Sequence, residues 1–348
     1  MLLRNRHVLI RVLSSLVLIG GVFTALAVTA GPASAVVDIP GPGPAAAIDS
    51  YGHRYVFWKG TNGGLWEGYY NGTRWFGPIN VDPGANMGSE PTVAVSASQH
   101  TGGSNPSAYQ FVFWKGAGSA HNLIEEYFDG SWHGPFDIGM GNVGGYILNQ
   151  YAPSASWYDS TGIIVAWTGA TDTNIWYTFT KSPTNTGSWS SPQKSSHGNV
   201  AVGSEPSVFG PLDSVFWADS GFQDLWWGAL QGSSSHNYHD GPLGGPPTST
   251  AVPNTECVCD DYYAFWQGAT GGLWYMTWSA VNLRGPSEVC ACQLGSDPSI
   301  ALDAFTPGPS SISQAEVYWR CPNDQNLCQR DMTGRVTDLD FGPIPSEG

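Results

Sequence analysis

Val56-Phe57-Trp58-Lys59-Gly60, then Leu65-Trp66-Glu67, then Trp75-Phe76-Gly77-Pro78, is the stretch whose reading decides the fold. An aromatic strand ending in Trp runs into a short turn, a second apolar strand and a Gly-Pro. The Trp returns as Trp114, Trp167, Trp217, Trp266 and Trp319, about every 50 residues, which is the length of one propeller blade. The Gly-Pro keeps step as Gly134-Pro135, Gly241-Pro242, Gly285-Pro286 and Gly342-Pro343, with Ser191-Pro192 in the third slot. Six copies in register are not an accident of composition.

Each copy parses into four short strands. The first follows a proline, as in Pro91-Thr92, Pro153-Ser154, Pro206-Ser207 and Pro298-Ser299. The second carries the Trp, and the third spans 65–70, 123–128, 175–180, 225–230, 273–278 and 327–332. The fourth surrounds Trp-x-Gly-Pro. Strands two and three are apolar at odd and even positions alike, as in Val56-Phe57-Trp58, so both of their faces must be covered. Parallel strands under helices would read the same way, but no window keeps a 3.6-residue period. The turns Thr61-Asn62-Gly63-Gly64 and Asn71-Gly72 instead make antiparallel hairpins. Asn71-Gly72-Thr73 also fits a glycosylation acceptor, although a hairpin turn is its commoner meaning. The expected fold is all-β: a single six-bladed β-propeller of four-stranded antiparallel blades filling residues 36–348. The blades fall near 40–85, 86–145, 150–200, 203–246, 250–293 and 295–345.

Residues 1–35 carry the features of a signal peptide. Arg4, Arg6 and Arg11 precede an apolar run to about Val28, and Ala33-Ser34-Ala35 supplies the small-x-small cleavage pattern. Ser14, Ser15, Gly20 and Gly21 interrupt the run, which weakens the rival reading as a membrane anchor. The mature chain is therefore expected outside the cell, without membrane insertion. The full chain has a formal net charge of −15, and removing three arginines would leave ten basic side chains against 28 acidic ones. Such a surface disfavours nucleic acid and anionic lipid.

Six cysteines in an oxidising compartment favour disulfides. Cys321 and Cys328 stand at the end of one strand and the start of the next, placed to staple a hairpin. Cys257, Cys259, Cys290 and Cys292 form two Cys-x-Cys pairs. Two disulfides between those pairs fit secretion better than a four-thiolate metal site, and sequence leaves their connectivity open.

The motifs of catalysis are missing: the chain has no Gly-x-Ser-x-Gly, no His-Glu-x-x-His and no phosphate-binding glycine loop. Asp260-Asp261 are adjacent on a strand and so point to opposite faces. His236-x-x-His239 has no third metal ligand nearby. Nothing implies a cofactor. Binding has more support. Trp66, Trp226 and Trp274, with Tyr127 and Tyr177, gather on third strands, where a ring could stack on a sugar or simply glue two blades. Lys59 with Glu67, and Lys115 with Glu125, flank matched turns. They could converge on a sugar's hydroxyls or form a cross-strand ion pair. Repeats three to five lose that pair, with Thr168, Ala218 and Gln267 in the lysine position.

At these residues the chain resembles the secreted β-propeller lectins that bind fucose and related sugars, in particular the Photorhabdus type. Lys59-Gly60-Thr61-Asn62-Gly63-Gly64-Leu65-Trp66 with Trp75-Phe76-Gly77-Pro78 carries the likeness, and Gln267 to Trp274 repeats it. The resemblance implies sugars held between blades against an aromatic, by a basic and an acidic residue. Position by position it points to Lys59, Glu67, Lys115 and Glu125. The family's basic residue is often Arg, which falls here only at Arg320. The expectation is a secreted, non-catalytic protein that binds carbohydrate or glycoconjugates between blades. The alternatives are a secreted glycoside hydrolase or polysaccharide lyase acting on the central face, or a protein-interaction scaffold.

Overall fold

The computed structural model describes residues 43–49, 51–99, 108–118, 122–138, 151–157, 162–169, 172–197, 200, 204–209, 214–222, 224–238, 242–254, 259–278, 283–302, 315–322, 326–332 and 334–339. The signal-peptide segment, Cys257 and His239 lie outside them. Blade 1 comprises β1 (Ala45–Ile48), β2 (Arg54–Lys59), β3 (Leu65–Tyr70) and β4 (Trp75–Asp82). Blade 2 comprises β5 (Thr92–Gln99), β6 (Ala108–Lys115), β7 (Leu123–Phe128) and β8 (Trp132–Asp137). Blade 3 runs through β9 (Ser154–Trp157), β10 (Ile163–Thr168), β11 (Ile175–Thr180) and β12 (Gln193–Lys194). Blade 4 has β13 (Ser207–Phe209), β14 (Ser214–Ala218), β15 (Leu225–Ala229) and β16 (Ser235–Asn237). Blade 5 has β17 (Thr248–Asn254), β18 (Cys259–Gln267), β19 (Leu273–Trp278) and β20 (Leu283–Cys290). Blade 6 ends the ring with β21 (Ser299–Leu302), β22 (Ala315–Arg320), β23 (Leu327–Asp331) and β24 (Val336–Asp338). Every sheet is antiparallel and pairs its strands in chain order, so the chain forms the expected six-bladed β-propeller.

The innermost strands pack on one another all the way round, β1 on β5 and so on to β21 on β1. The proline-led motif has a direct role there. The Thr92 hydroxyl accepts from the Ala155 amide at 3.1 Å, the Ser154 hydroxyl from Val208 at 2.9 Å, and the Ser299 hydroxyl from Ala46 at 2.8 Å. A Ser or Thr after the proline thus ties the first strands of neighbouring blades.

The core divides into six clusters, each made of the facing sides of two adjacent blades. Phe57 and Leu65 of blade 1 meet Val112 and Trp114 of blade 2. Val56 and Trp58, on the opposite side of the same sheet, meet Tyr318 and Leu327 of blade 6. Both faces are buried, which is why the consecutive residues Tyr55 to Trp58 of β2 are all apolar or aromatic. Each blade comes from one continuous stretch of chain, so the seam between blades 6 and 1 closes without a shared strand, through packed side chains and the bond from the Ala46 amide to Ser299.

Cys321 is bridged to Cys328 across the β22–β23 turn. Cys290 is bridged to Cys292, within one Cys-x-Cys rather than to the other pair. The chain turns at the end of β20 and brings these two Cα atoms to 5.1 Å, inside disulfide range. Among the described residues no helix is long and apolar enough to cross a membrane. Among the same residues no group of three or more His, Cys, Asp or Glu is placed to hold a metal.

Candidate functional site

The clefts between blades carry a repeated arrangement that sets three of them apart. At the boundary of blades 1 and 2, Phe57 and Trp132 meet edge to face, with centroids 5.9 Å apart and planes at 84°. At the boundary of blades 2 and 3, Phe113 and Trp189 do the same at 5.6 Å and 86°. At the boundary of blades 6 and 1, Tyr318 and Trp75 meet at 6.1 Å and 77°. In each case a ring from a second strand touches the fourth-strand Trp region of the next blade. Beside that ring on the third strand lies a polar residue. Glu67 pairs with Phe57, Glu125 with Phe113, and Gln329 with Tyr318. The corresponding partners in the other blades are Tyr177, Trp227 and Tyr275, which are aromatic.

The three clefts differ in how their acids are satisfied. In cleft 6/1, Arg54 Nη2 lies 2.5 Å from Glu316 Oε1, and the guanidinium sits 4.5 Å over the Tyr70 ring. Glu316 Oε2 accepts from the Tyr318 hydroxyl at 2.6 Å and from Gln329 Nε2 at 2.8 Å. Burial pushes the Glu316 carboxyl upward against those favourable contacts. In cleft 2/3, Trp189 Nε1–H donates to Glu125 Oε2 at 3.1 Å, while Glu125 Oε1 is buried without a partner. Burial pushes Glu125 up to about 8, and the indole hydrogen bond pulls the other way. In cleft 1/2, burial alone pushes Glu67 up to about 7. On the facing sheet Glu126 is raised to about 8, first by burial and then by the charge of Asp82.

The residues singled out from sequence occupy varied places. Glu67, Glu125 and Tyr127 do face clefts; the Tyr127 ring stacks on His133 at 4.9 Å and on Phe111 at 5.7 Å. Lys59 and Lys115 do not join Glu67 and Glu125. Among the described residues those two carboxylates form no ion pair with any lysine or arginine. The Lys59 amide instead donates to Glu90 Oε2 on the lead-in to β5, and the Lys115 amide donates to the Ser89 hydroxyl. The lysine position lies at the end of strand two, against the lead-in to an innermost strand.

Third-strand tryptophans fold back over the turn glycine of their own hairpin. A Cβ on Gly60 would stand 2.2 Å from Trp66 Nε1, and one on Gly268 would stand 2.5 Å from Trp274 Nε1. Trp226 stacks on Trp217 of its own blade at 6.2 Å. These rings pack blade against blade, whereas Trp75 and Trp132 on fourth strands, and Trp189 just before one, reach the second-strand ring of the preceding blade, and Trp189 also donates to Glu125. The Trp-x-Gly-Pro motif held that signal, with Ser191-Pro192 as its third form. Arg320 stands in the same register as the lysines, opposite Leu327 as Lys59 is opposite Leu65. It is buried with Nη2 4.0 Å from Glu90 Oε1, while Arg54 enters cleft 6/1 and Arg330 reaches from blade 6 to the Val289 carbonyl of blade 5.

The chain matches no protein-family model and no curated protein sequence. Solved structures do match it. The Aleuria aurantia lectin, as a variant in complex with Fucα1-6GlcNAc, superposes with a TM-score of 0.61 at 13% identity, covering 86% of this chain and 96% of that one. SapL1 lectin in complex with alpha methyl fucoside gives 0.58 at 16% identity, covering 90% and 99%. BP39L lectin from Burkholderia pseudomallei gives 0.56 at 16% identity, covering 88% and 84%. At these identities the likeness is one of fold, and it extends around nearly the whole ring.

Proposed function

We propose that the protein is a secreted, non-catalytic lectin that holds carbohydrate in the clefts between its blades. One observation carries the reading: a Trp in or just before a fourth strand crosses a blade boundary three times, each time meeting a second-strand ring whose third-strand neighbour is polar and at least half-buried. A sugar presents an apolar C–H face for such a ring and hydroxyls for such a polar group. Cleft 6/1 combines donors from Arg54 and Gln329 with acceptors from Glu316, so it suits a neutral sugar such as fucose. The solved neighbours that were determined with fucosides support that choice. Placement beside the Photorhabdus-type lectins rests on the Gly60-to-Trp66 turn sequence. Secretion rests on the Arg-rich, apolar N-terminus and on the disulfides.

Titration calorimetry with α-methyl fucoside, backed by a broad glycan array, tests this reading. Binding that disappears in Trp75→Ala is the expected result. Silence across the array would defeat it.

A further inference from the structure

Cleft 1/2 departs from its two counterparts in one respect. Glu316 in cleft 6/1 has a guanidinium, a phenol and an amide. Glu125 in cleft 2/3 has the Trp189 indole. Glu67 in cleft 1/2 has no hydrogen-bond donor among the described residues, although it is only 7% exposed. It is not alone. Glu126, 3% exposed, lies opposite Val112 in β7 on the side packed against blade 1, and its Oε2 has no partner. Asp82 at the end of β4 keeps a buried Oδ2 unpartnered, as does the Oε1 of Gln110. Asp82 is close enough to Glu126 for its charge to be felt there. At one boundary, therefore, Glu67 has no donor among the described residues, and Glu126, Asp82 and Gln110 each keep one buried acceptor oxygen without one, although Asp82 Oδ1 accepts from the Gly84 amide at 2.7 Å.

Among the described residues no lysine or arginine pairs with Glu67. The lysine rows end at the blade lead-ins, and Arg74 lies over the Phe76 ring at 4.4 Å. Burying an uncompensated carboxylate is costly unless something brings it a donor or a positive charge. The half-buried Trp132 beside Phe57 adds a π face of the kind that attracts a cation.

We propose that cleft 1/2 takes a sugar bearing a primary ammonium group, an amino sugar without its acetyl cap, while neutral sugars go to cleft 6/1. The ammonium supplies the donor that Glu67 lacks, and the sugar's apolar face lies on Trp132. This inference rests on the cleft-binding reading above. It adds the ligand's charge and assigns it to one boundary.

Calorimetry of the whole protein with glucosamine oligomers, their N-acetylated equivalents and α-methyl fucoside tests it. We expect the free-amine form to bind at least about tenfold tighter than the acetylated form, as befits a charge-assisted contact. Glu67→Gln should remove about that factor, and Asp82→Asn at the rim should weaken binding in the same direction. Glu288→Gln, an exposed acid on blade 5, should change nothing and so controls for diffuse attraction to an acidic protein. Thermal unfolding of each variant confirms that it is folded. Equal affinity for amine and acetylated forms, or full amine affinity in both Glu67→Gln and Asp82→Asn, overturns the inference. Fucoside binding without amine binding sinks this inference alone. Silence toward every sugar sinks the cleft reading as well.

Discussion

Trp189 of blade 3 donates its indole N–H to the carboxylate of Glu125 in blade 2, 64 residues earlier in the chain. The bond crosses a blade boundary and leaves Glu125 Oε1 as a buried, unpartnered oxygen. Trp189→Phe keeps the ring against Phe113 but strips the last donor from that carboxyl. Leaving a buried acceptor unsatisfied costs about 1–3 kcal/mol. Urea denaturation at pH 8.5 should show a loss of that order. The loss should be smaller at pH 5, where the acid is protonated. No change at either pH would mean that the indole contributes nothing to the seam.

Glu67 and Glu125 hold their protons up to about 7 and about 8 in the folded chain. In the unfolded chain a glutamate ionises near about 4.3. Between those values the folded state binds protons that the unfolded state has lost, so stability falls as pH rises. The contribution is complete below the unfolded value, declines from there upward, and is gone once the pH has passed about 7 to 8. Melting temperature should therefore drop between pH 5 and pH 8.5. The Glu67→Gln, Glu125→Gln double variant should flatten that part of the profile. A double variant with an unaltered slope would place the titrating groups elsewhere.

The Cys321–Cys328 bridge spans seven positions across the β22–β23 turn, next to the buried Trp319. Closing so short a loop stabilises by about 2–3 kcal/mol on the chain-entropy account. Replacing both cysteines by serine should lower the urea midpoint by a corresponding amount. Fluorescence anisotropy with a labelled sugar should show binding in clefts 1/2 and 2/3 intact, because neither touches that hairpin. Loss of all binding together with the bridge would mean that blade 6 supports the whole ring.

How much of this was legible in the sequence follows from chain distance. The blades could be read because each is a local object: Trp, turn, second strand and Gly-Pro fall within one repeat. The cleft partnerships could not. Glu125 and Trp189 belong to different repeats, and Arg54 meets Glu316 only because the ring closes. Reading Lys59 and Glu67 as partners on one hairpin overlooked Glu90, which arrives from the next blade and accepts the Lys59 amide. Trp66 and Trp274 could not be told from Trp75 and Trp132 for a similar reason. A tryptophan folded over its own turn glycine and one reaching across a boundary look alike until the packing is known.

The Arg54–Glu316 pair sits at the seam where the first and last blades meet with no strand shared between them. Removing the guanidinium leaves Glu316 buried with only the Tyr318 hydroxyl and Gln329 amide as donors. Arg54→Met should therefore destabilise the protein by about 1–3 kcal/mol, below the full cost of orphaning a buried charge because those two donors remain. Adding Glu316→Gln to the same chain removes the stranded charge, and most of the loss should return. Hydrogen exchange gives the sharper reading. In the single variant the amides of β1 and β22 should open faster than those of β10 and β14, because the seam parts first. Uniform loss of protection around the ring would show that the seam is no weaker than the other five boundaries.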